Sequence, residues 1–156
     1  MGSLKRKLEG EVELRATAAD VLHEIVTTRP HHAPNHVSHF IQAVDLHEGE
    51  HGKLGSTCVW KYTLGGKALS VKTIVEEIDM EKKSIKYRAL EGNMMEEYKT
   101  ITGKVQVIPK DEQNCIFRWT LEYEKLSPDM PEPSALLDAW LAAAVDIDDQ
   151  HHGIKK

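Results

Sequence analysis

Residues 117–124 read FRWTLEYE, and their side chains alternate between apolar and polar without a break. A period of two residues is typical of a β-strand with one buried face and one face in water. The residues expected on the buried face are Phe117, Trp119, Leu121 and Tyr123. The segment therefore predicts a strand of an antiparallel sheet that covers a core on one side only.

Six further segments have strand-like composition and are separated by turns rich in glycine, asparagine or proline. They are residues 7–14, 40–46, 57–64, 67–78, 84–90 and 98–108. With 115–125 as the last strand, the six segments after residue 40 follow one another along the chain with only short turns between them. This arrangement predicts a meander of antiparallel strands.

Residues 133–150 form the longest helical pattern, with apolar residues at 136, 137, 140, 141, 144 and 145. Such a helix is roughly 25 Å long, enough to cross a sheet of six or seven strands. A shorter helix is expected at 17–26, and Pro30 and Pro34 limit 29–36 to about one helical turn. The fold class is therefore α+β, a curved antiparallel sheet gripping one long helix. Asp148 lies on the apolar stripe of that helix, near an end where the helix dipole disfavours anions.

Aromatic residues concentrate on the predicted inner faces, where eight of the nine fall and only Tyr98 does not. The eight are Phe40, Trp60, Tyr62, Tyr87, Phe117, Trp119, Tyr123 and Trp140. Tyrosine hydroxyls and tryptophan N–H groups need hydrogen-bond partners when buried, which favours an interior that holds water or a ligand. The alternative is that the rings interlock without a void, and the residues alone leave both possibilities open.

Composition narrows the class of protein. The chain has 156 residues, 40% of them hydrophobic and 29% charged, which fits one globular domain, expected at 4–152 with flexible termini at 1–3 and 153–156. A net charge of −5 argues against nucleic acid and anionic membranes as partners. Cys58 and Cys115 have no disulfide or metal-site spacing, and no export signal is apparent, so we expect a cytoplasmic protein.

Three motifs suggest chemistry but are better explained by structure. His47-Glu48-Gly49-Glu50-His51 matches the HExxH zinc motif, yet it follows a strand and contains glycine, so a helix is not expected there. The glycines of residues 48–56 lack the spacing of phosphate loops and indicate a hairpin turn. His31, His32, His36 and His39 are expected at the surface, although His32 and His36 would suit a metal on a helix. We therefore expect no metal and no cofactor.

Several segments resemble the major latex protein-like family of plants, a branch of the Bet v 1-like, START-like helix-grip superfamily. They are RPHH (29–32), DLHEGEHGKLGS (45–56), W-x-Y (60–62), LEGNMMEEYK (90–99) and LEYEKL (121–126). The resemblance covers nearly the whole chain. It implies a seven-stranded sheet wrapped around a long C-terminal helix, with two short helices that close a large apolar cavity.

The resemblance also implies two classes of function. Most members are similar to carriers or reservoirs for hydrophobic plant metabolites, often in defence, whereas some relatives are cofactor-free cyclases or isomerases in iridoid or alkaloid biosynthesis. A weaker hypothesis is a protein-interaction module that uses the histidine and glycine loops. In either main case we expect a small hydrophobic partner and a monomer or weak dimer.

Both main hypotheses use the same predicted cavity. A carrier would bury an apolar guest there, and an enzyme would hold a reactive intermediate in one conformation. For catalysis, the hydroxyls of Tyr62 and Tyr87 are the candidate proton donors. The orientation of Ser70 and Lys72 does not follow from the pattern. The expected ligand-binding residues are Phe40, Cys58, Trp60, Tyr62, Tyr87, Phe117, Trp119, Trp140, Leu141 and Ala144.

Overall fold

A computed structural model describes residues 5–15, 37–51, 53–79 and 81–153. The helix expected at 17–26, the turn at 29–36 and the histidines at 31, 32 and 36 lie outside the described residues. The described strands and helices agree closely with the predicted segments. They are β1 (Lys5–Arg15), β2 (Ile41–Glu48), β3 (Thr57–Leu64), β4 (Lys67–Asp79), β5 (Ser84–Gly92), a 3-10 helix (Asn93–Glu96), β6 (Tyr98–Pro109), β7 (Asn114–Lys125) and α1 (Ser134–Gly153).

The seven strands form one antiparallel sheet in the order β1-β7-β6-β5-β4-β3-β2. Strands β2 to β7 are the predicted meander, and β1 pairs with β7 from Lys5 opposite Glu124 to Arg15 opposite Asn114. Register shifts interrupt the pairs β2–β3, β4–β5 and β6–β7. Such bulges bend and twist strands, which lets the sheet curve around a helix. The predicted α+β fold is confirmed.

Helix α1 packs on the concave face, mainly against β1 and β7. Its buried apolar side chains are Leu136, Leu137, Ala143, Ala144 and Ile147. Gly10 of β1 lies directly beneath the helix, and a methyl group built there would come within 2.8 Å of Leu141 Cδ1. The missing side chain therefore sets how closely the helix approaches the sheet. Within the described residues, no helix has the length and apolar character to cross a membrane.

The apolar face of α1 is displaced from the predicted one at its C-terminal end. Val145 is 37% exposed, whereas Ala143 and Ile147 are buried. At 3.6 residues per turn, the stripe that begins at Leu136 continues through residues 140, 143 and 147. Val145 lies to one side of this stripe, and its assignment to the buried face was wrong.

Tyr98 was expected outside the core and is instead 3% exposed. The β6–β7 register shifts between Tyr98 and Thr100, which reverses the face on which Tyr98 lies. Its ring meets Tyr123 edge to face at 5.5 Å, and its hydroxyl donates to the Pro131 carbonyl at 2.7 Å. The Tyr123 hydroxyl donates to Glu132, whose other oxygen lies 2.5 Å from Lys125 Nζ. These contacts hold the segment that leads into α1.

Asp148, the least favourable residue of α1 by sequence, has a structural partner on β1. Its carboxylate is buried and accepts the Arg15 amide at 3.3 Å and the Arg15 guanidinium at 3.1 Å. A charged acceptor that receives both groups is well compensated for its burial. The pair therefore fastens the C-terminal part of the helix to the end of β1.

We predict that Asp148→Asn lowers the free energy of unfolding by about 1–2 kcal/mol, because it weakens hydrogen bonds to a charged, buried acceptor. Asp149→Asn is the matched control. The Asp149 side chain is 66% exposed and lies 3.9 Å from Arg15, so its loss should cost under about 0.5 kcal/mol. Urea denaturation measures both values, and equal effects of the two variants would contradict this role of Asp148.

Candidate functional site

A cavity of about 80 Å³ lies between the concave face of the sheet and α1. Its walls come from β2 to β7, from the 3-10 helix and from the first half of α1. The described lining residues are Phe40, Ile41, Trp60, Tyr62, Val71, Thr73, Tyr87, Ala89, Met94, Ile101, Gly103, Trp119, Leu121, Leu136 and Trp140. None of these side chains carries a charge, so the cavity is suited to an uncharged molecule.

The cavity is small because aromatic rings crowd one another at its wall. We call Phe40, Trp60, Trp119 and Trp140 the aromatic cluster. Trp140 stacks on Trp119 with centroids 4.6 Å apart and planes 12° apart. The same ring meets Phe40 at 5.3 Å and Trp60 at 6.0 Å, both edge to face. Trp140 is itself only half-buried, unlike the other three members of the cluster.

The two buried indole N–H groups of the sheet differ in their hydrogen bonds. Trp60 Nε1 donates to Thr73 Oγ1 at 2.9 Å. Trp119 Nε1 is buried and has no partner among the described residues. An unsatisfied buried donor costs about 1–3 kcal/mol relative to a paired one. Trp119 therefore has a hydrogen-bond donor that the described residues leave unused.

Both tyrosines that were expected to act on a substrate line the cavity. Burial, with a smaller contribution from the charge of Glu97, raises the pKa of Tyr62 to about 12. Burial raises the pKa of Tyr87 further, and the nearby Cys58 adds to this effect. Both hydroxyls are therefore neutral at physiological pH and are suited to hydrogen bonding more than to proton transfer.

The structure brings together six of the ten expected ligand-binding residues on the cavity wall. These are Phe40, Trp60, Tyr62, Tyr87, Trp119 and Trp140. The other four, Cys58, Phe117, Leu141 and Ala144, do not line it. Cys58 lies beside His51, Phe117 is buried beside Trp119 on the same strand, and Leu141 covers Gly10. Ala144 is buried one helical turn further along α1 than Trp140.

Strand β4 supplies two lining residues that the sequence pattern did not identify, Val71 and Thr73. Apolar residues occur at both parities of this strand, so its inner face could not be chosen from sequence. Val71, Thr73 and Val75 are buried, which assigns Ser70 and Lys72 to the opposite face. The Ser70 amide donates to the Asn93 side chain at 2.9 Å, away from the cavity wall.

Gly103 of β6 also lines the cavity and was not among the expected ligand-binding residues. A methyl group built on it would lie 3.1 Å from Cζ2 of Trp119. The bare backbone therefore gives the Trp119 ring room to lie close to β6. Its neighbours Ile101 and Val105 alternate with it on the inner face, so parity alone would have placed Gly103 there.

The HExxH match does not form a metal-binding helix. His47 lies in β2, and Gly49 has a φ of +82°, so the two histidines are not on one helix face. The glycine loop after β2 is a turn, as predicted, in which the Ser56 amide donates to the Lys53 carbonyl and the Gly55 amide to Val75. Among the described residues, no group of three or more His, Cys, Asp or Glu is placed to hold a metal.

Cys58 and His51 form the closest approach to a nucleophilic pair in the described part of the chain. Cys58 Sγ lies 3.6 Å from His51 Nδ1. Burial, followed by the charge of Asp45, raises the pKa of Cys58 to about 11, so the thiol stays protonated. Because the thiolate is the reactive form, this arrangement does not provide a nucleophile.

Comparison with known proteins places the chain in a family. The profile of the Pathogenesis-related protein Bet v 1 family matches residues 3–151. MLP-like protein 43 of Arabidopsis thaliana is 41% identical over 148 residues, which cover 94% of this chain and 93% of that protein.

Solved structures agree with this assignment. The crystal structure of ginseng major latex-like protein 151 from Panax ginseng matches with a TM-score of 0.90 at 40% identity, covering 95% of this chain and 98% of that one. Norcoclaurine synthase from Thalictrum flavum, solved with dopamine and hydroxybenzaldehyde, matches with a TM-score of 0.75 over 99% of this chain and 90% of that one. At 18% identity, that likeness shows the fold alone. Since both sequence and structure match over nearly their full lengths, the chain belongs to the Bet v 1 family, on its major latex protein-like branch.

Proposed function

We propose that the protein binds a small hydrophobic plant metabolite in the cavity beneath α1 and acts as its carrier or reservoir. The observation that supports this most is a cavity whose described wall contains six aromatic side chains and no charged one. Apolar surface removed from water contributes about 25 cal/mol per Å², and a few hydroxyl and N–H groups can orient the guest. A cytoplasmic location and a monomeric or weakly dimeric state stay predictions, as does a role in defence.

The cavity is too small to hold a drug-sized guest unless a side chain of its wall moves. Pockets for drug-sized ligands measure roughly 300–1,000 Å³, whereas this one measures about 80 Å³. Trp140 is the half-buried member of the aromatic cluster and belongs to α1 rather than to the sheet. A guest that displaces its ring gains the apolar surface of Trp60, Trp119 and Phe40. We therefore infer that Trp140 moves aside when the ligand binds.

We predict that Trp140→Ala enlarges the cavity and strengthens binding of the neutral apolar dye Nile red severalfold. The variant should also lose about 2–3 kcal/mol of stability, below the usual range for a fully buried tryptophan because Trp140 is not fully buried. Dye fluorescence titration measures the affinity, and native mass spectrometry tests one-to-one binding.

Val145→Ala is the matched control, since it removes apolar atoms from an exposed position of the same helix. Its affinity for the dye should equal that of the wild type. If neither the wild type nor Trp140→Ala binds a neutral apolar probe, the carrier function is wrong.

The alternative is a cofactor-independent cyclase or isomerase in which Tyr62 or Tyr87 transfers a proton. General acids and bases work best when their pKa lies near the working pH. Burial moves the pKa of both tyrosines away from neutrality, so it weakens them in this role. The likeness to norcoclaurine synthase concerns the fold and supplies no matching chemistry. The geometry therefore favours binding over catalysis.

We predict that stability decreases as the pH rises above about 10. Tyrosines of the unfolded chain release their protons near pH 10, whereas folded Tyr62 and Tyr98 retain theirs up to about pH 12. Between about pH 10 and pH 12 the folded state therefore binds more protons than the unfolded state. The free energy of unfolding falls as the pH rises through this range. Urea denaturation against pH measures the slope, which should be smaller in Tyr62→Phe. If ultraviolet absorbance shows that all tyrosines of the folded protein ionise near pH 10, the raised pKa values are contradicted.

A further inference from the structure

The unpartnered N–H group of Trp119 indicates which chemical class of ligand the cavity selects. Trp119 is 6% exposed, and its Nε1 atom has no hydrogen-bond partner among the described residues. The ring stacks on Trp140, and a methyl group built on Gly103 would lie 3.1 Å from its Cζ2 atom. A phenylalanine at this position would have filled a similar space without burying a polar atom.

Trp60 shows that an indole N–H group on the cavity wall can have a hydrogen-bond partner within the protein. Thr73 on the adjacent strand accepts the Trp60 N–H at 2.9 Å, so the same chemical group is paired a short distance away. The other buried polar atom without a partner, Thr57 Oγ1, does not belong to a residue that lines the cavity. Among the described lining residues, the Trp119 donor is therefore the buried polar group that a guest would complete.

The remaining wall restricts the guest in two further ways. No charged side chain of the described residues lines the cavity, so within this part of the wall an ionised guest would lose its hydration without gaining a counter-charge. The ring faces and edges of Phe40, Trp60, Tyr62 and Tyr87 favour flat, unsaturated molecules over flexible chains. Burial keeps the tyrosine hydroxyls neutral, so they do not offset a charge either.

We propose that the ligand is a neutral, flat ring compound with a carbonyl-type oxygen that accepts the Trp119 Nε1 hydrogen bond. This inference rests on the proposed carrier function. The oxygen lies in the plane of the indole at its N–H edge, while the rings of the guest pack against the other aromatic walls. Trp140, which stacks on Trp119, shifts to admit it.

Three rigid probes of nearly equal shape test the proposal: fluorenone, fluorene and fluorene carboxylate. Fluorenone has an acceptor oxygen, fluorene has none, and the carboxylate is ionised. Isothermal titration should show fluorenone binding about three- to tenfold tighter than fluorene, as one neutral hydrogen bond provides. The carboxylate should bind more weakly than either.

Trp119→Phe removes the donor and keeps an aromatic ring, so the ratio of fluorenone to fluorene affinity should fall by at least threefold. Tyr98→Phe is the matched control, because it removes a polar group from a buried ring that does not line the cavity, and it should keep the wild-type ratio. An identical ratio in the wild type and in Trp119→Phe overturns the proposal. Failure of the wild type to bind either fluorenone or fluorene overturns the carrier function itself.

Nuclear magnetic resonance gives a second measurement that does not depend on the Trp119 variant. The chain has three tryptophans, so three indole N–H signals are expected, and Trp60→Phe and Trp140→Phe assign them by elimination. Fluorenone should move the Trp119 signal downfield, and fluorene should not. Binding of fluorenone without this downfield shift overturns the proposal.

Discussion

The packing of α1 against the concave face of the sheet determines the position and the boundaries of the cavity. Gly10 allows the helix to come close to β1, with Leu141 packed directly over the bare backbone. Asp148 fastens one end of the helix to Arg15, and the contacts of Tyr98, Tyr123 and Glu132 hold the segment before the other end. Trp140 lies between these two attachments. The helix that bounds the cavity is thus attached on both sides of Trp140. The Trp140 side chain can therefore move while the backbone of the helix stays in place.

The polar groups of the interior differ in whether they have a hydrogen-bond partner. Those near the ends of α1 are paired and maintain the fold, as in the Arg15–Asp148 and Tyr98–Pro131 contacts. Within the cavity wall, Trp60 is paired with Thr73, while Trp119 Nε1 has no partner among the described residues. The described part of the wall thus presents apolar surface and this donor, without a charged side chain. Under the proposed function, selectivity would come from shape and hydrogen bonds, with little contribution from electrostatic attraction.

The strands and the long helix could be predicted because each produces a regular period in the chain. Alternation along β3, β5 and β7 also identified the face on which six cavity residues lie. It did not show how far along each strand the cavity extends, which is why Cys58 and Phe117 were expected on its wall. Tyr98 was misplaced because a bulge reverses parity and leaves no mark in a local pattern.

Long-range pairing was equally inaccessible from sequence. The partner of Asp148 is 133 residues away in the chain, so an acidic residue on an apolar stripe gave no hint of Arg15. Val145 was expected on the apolar stripe for a simpler reason. A small rotation of the helix about its axis moves a residue at the edge of the stripe from the buried face to the exposed face. Whether the Trp119 N–H group has a hydrogen-bond partner depends on the position of every neighbouring acceptor. Only three-dimensional coordinates specify these positions.

The aromatic cluster also gives the protein unusual optical properties. All three tryptophans of the chain belong to it, with centroid separations of 4.6 Å and 6.0 Å from Trp140 to its two partners. At such distances the electronic transitions of neighbouring indoles couple. The tryptophan bands of the near-ultraviolet circular dichroism and the tryptophan emission of the protein therefore arise from side chains of the cavity wall.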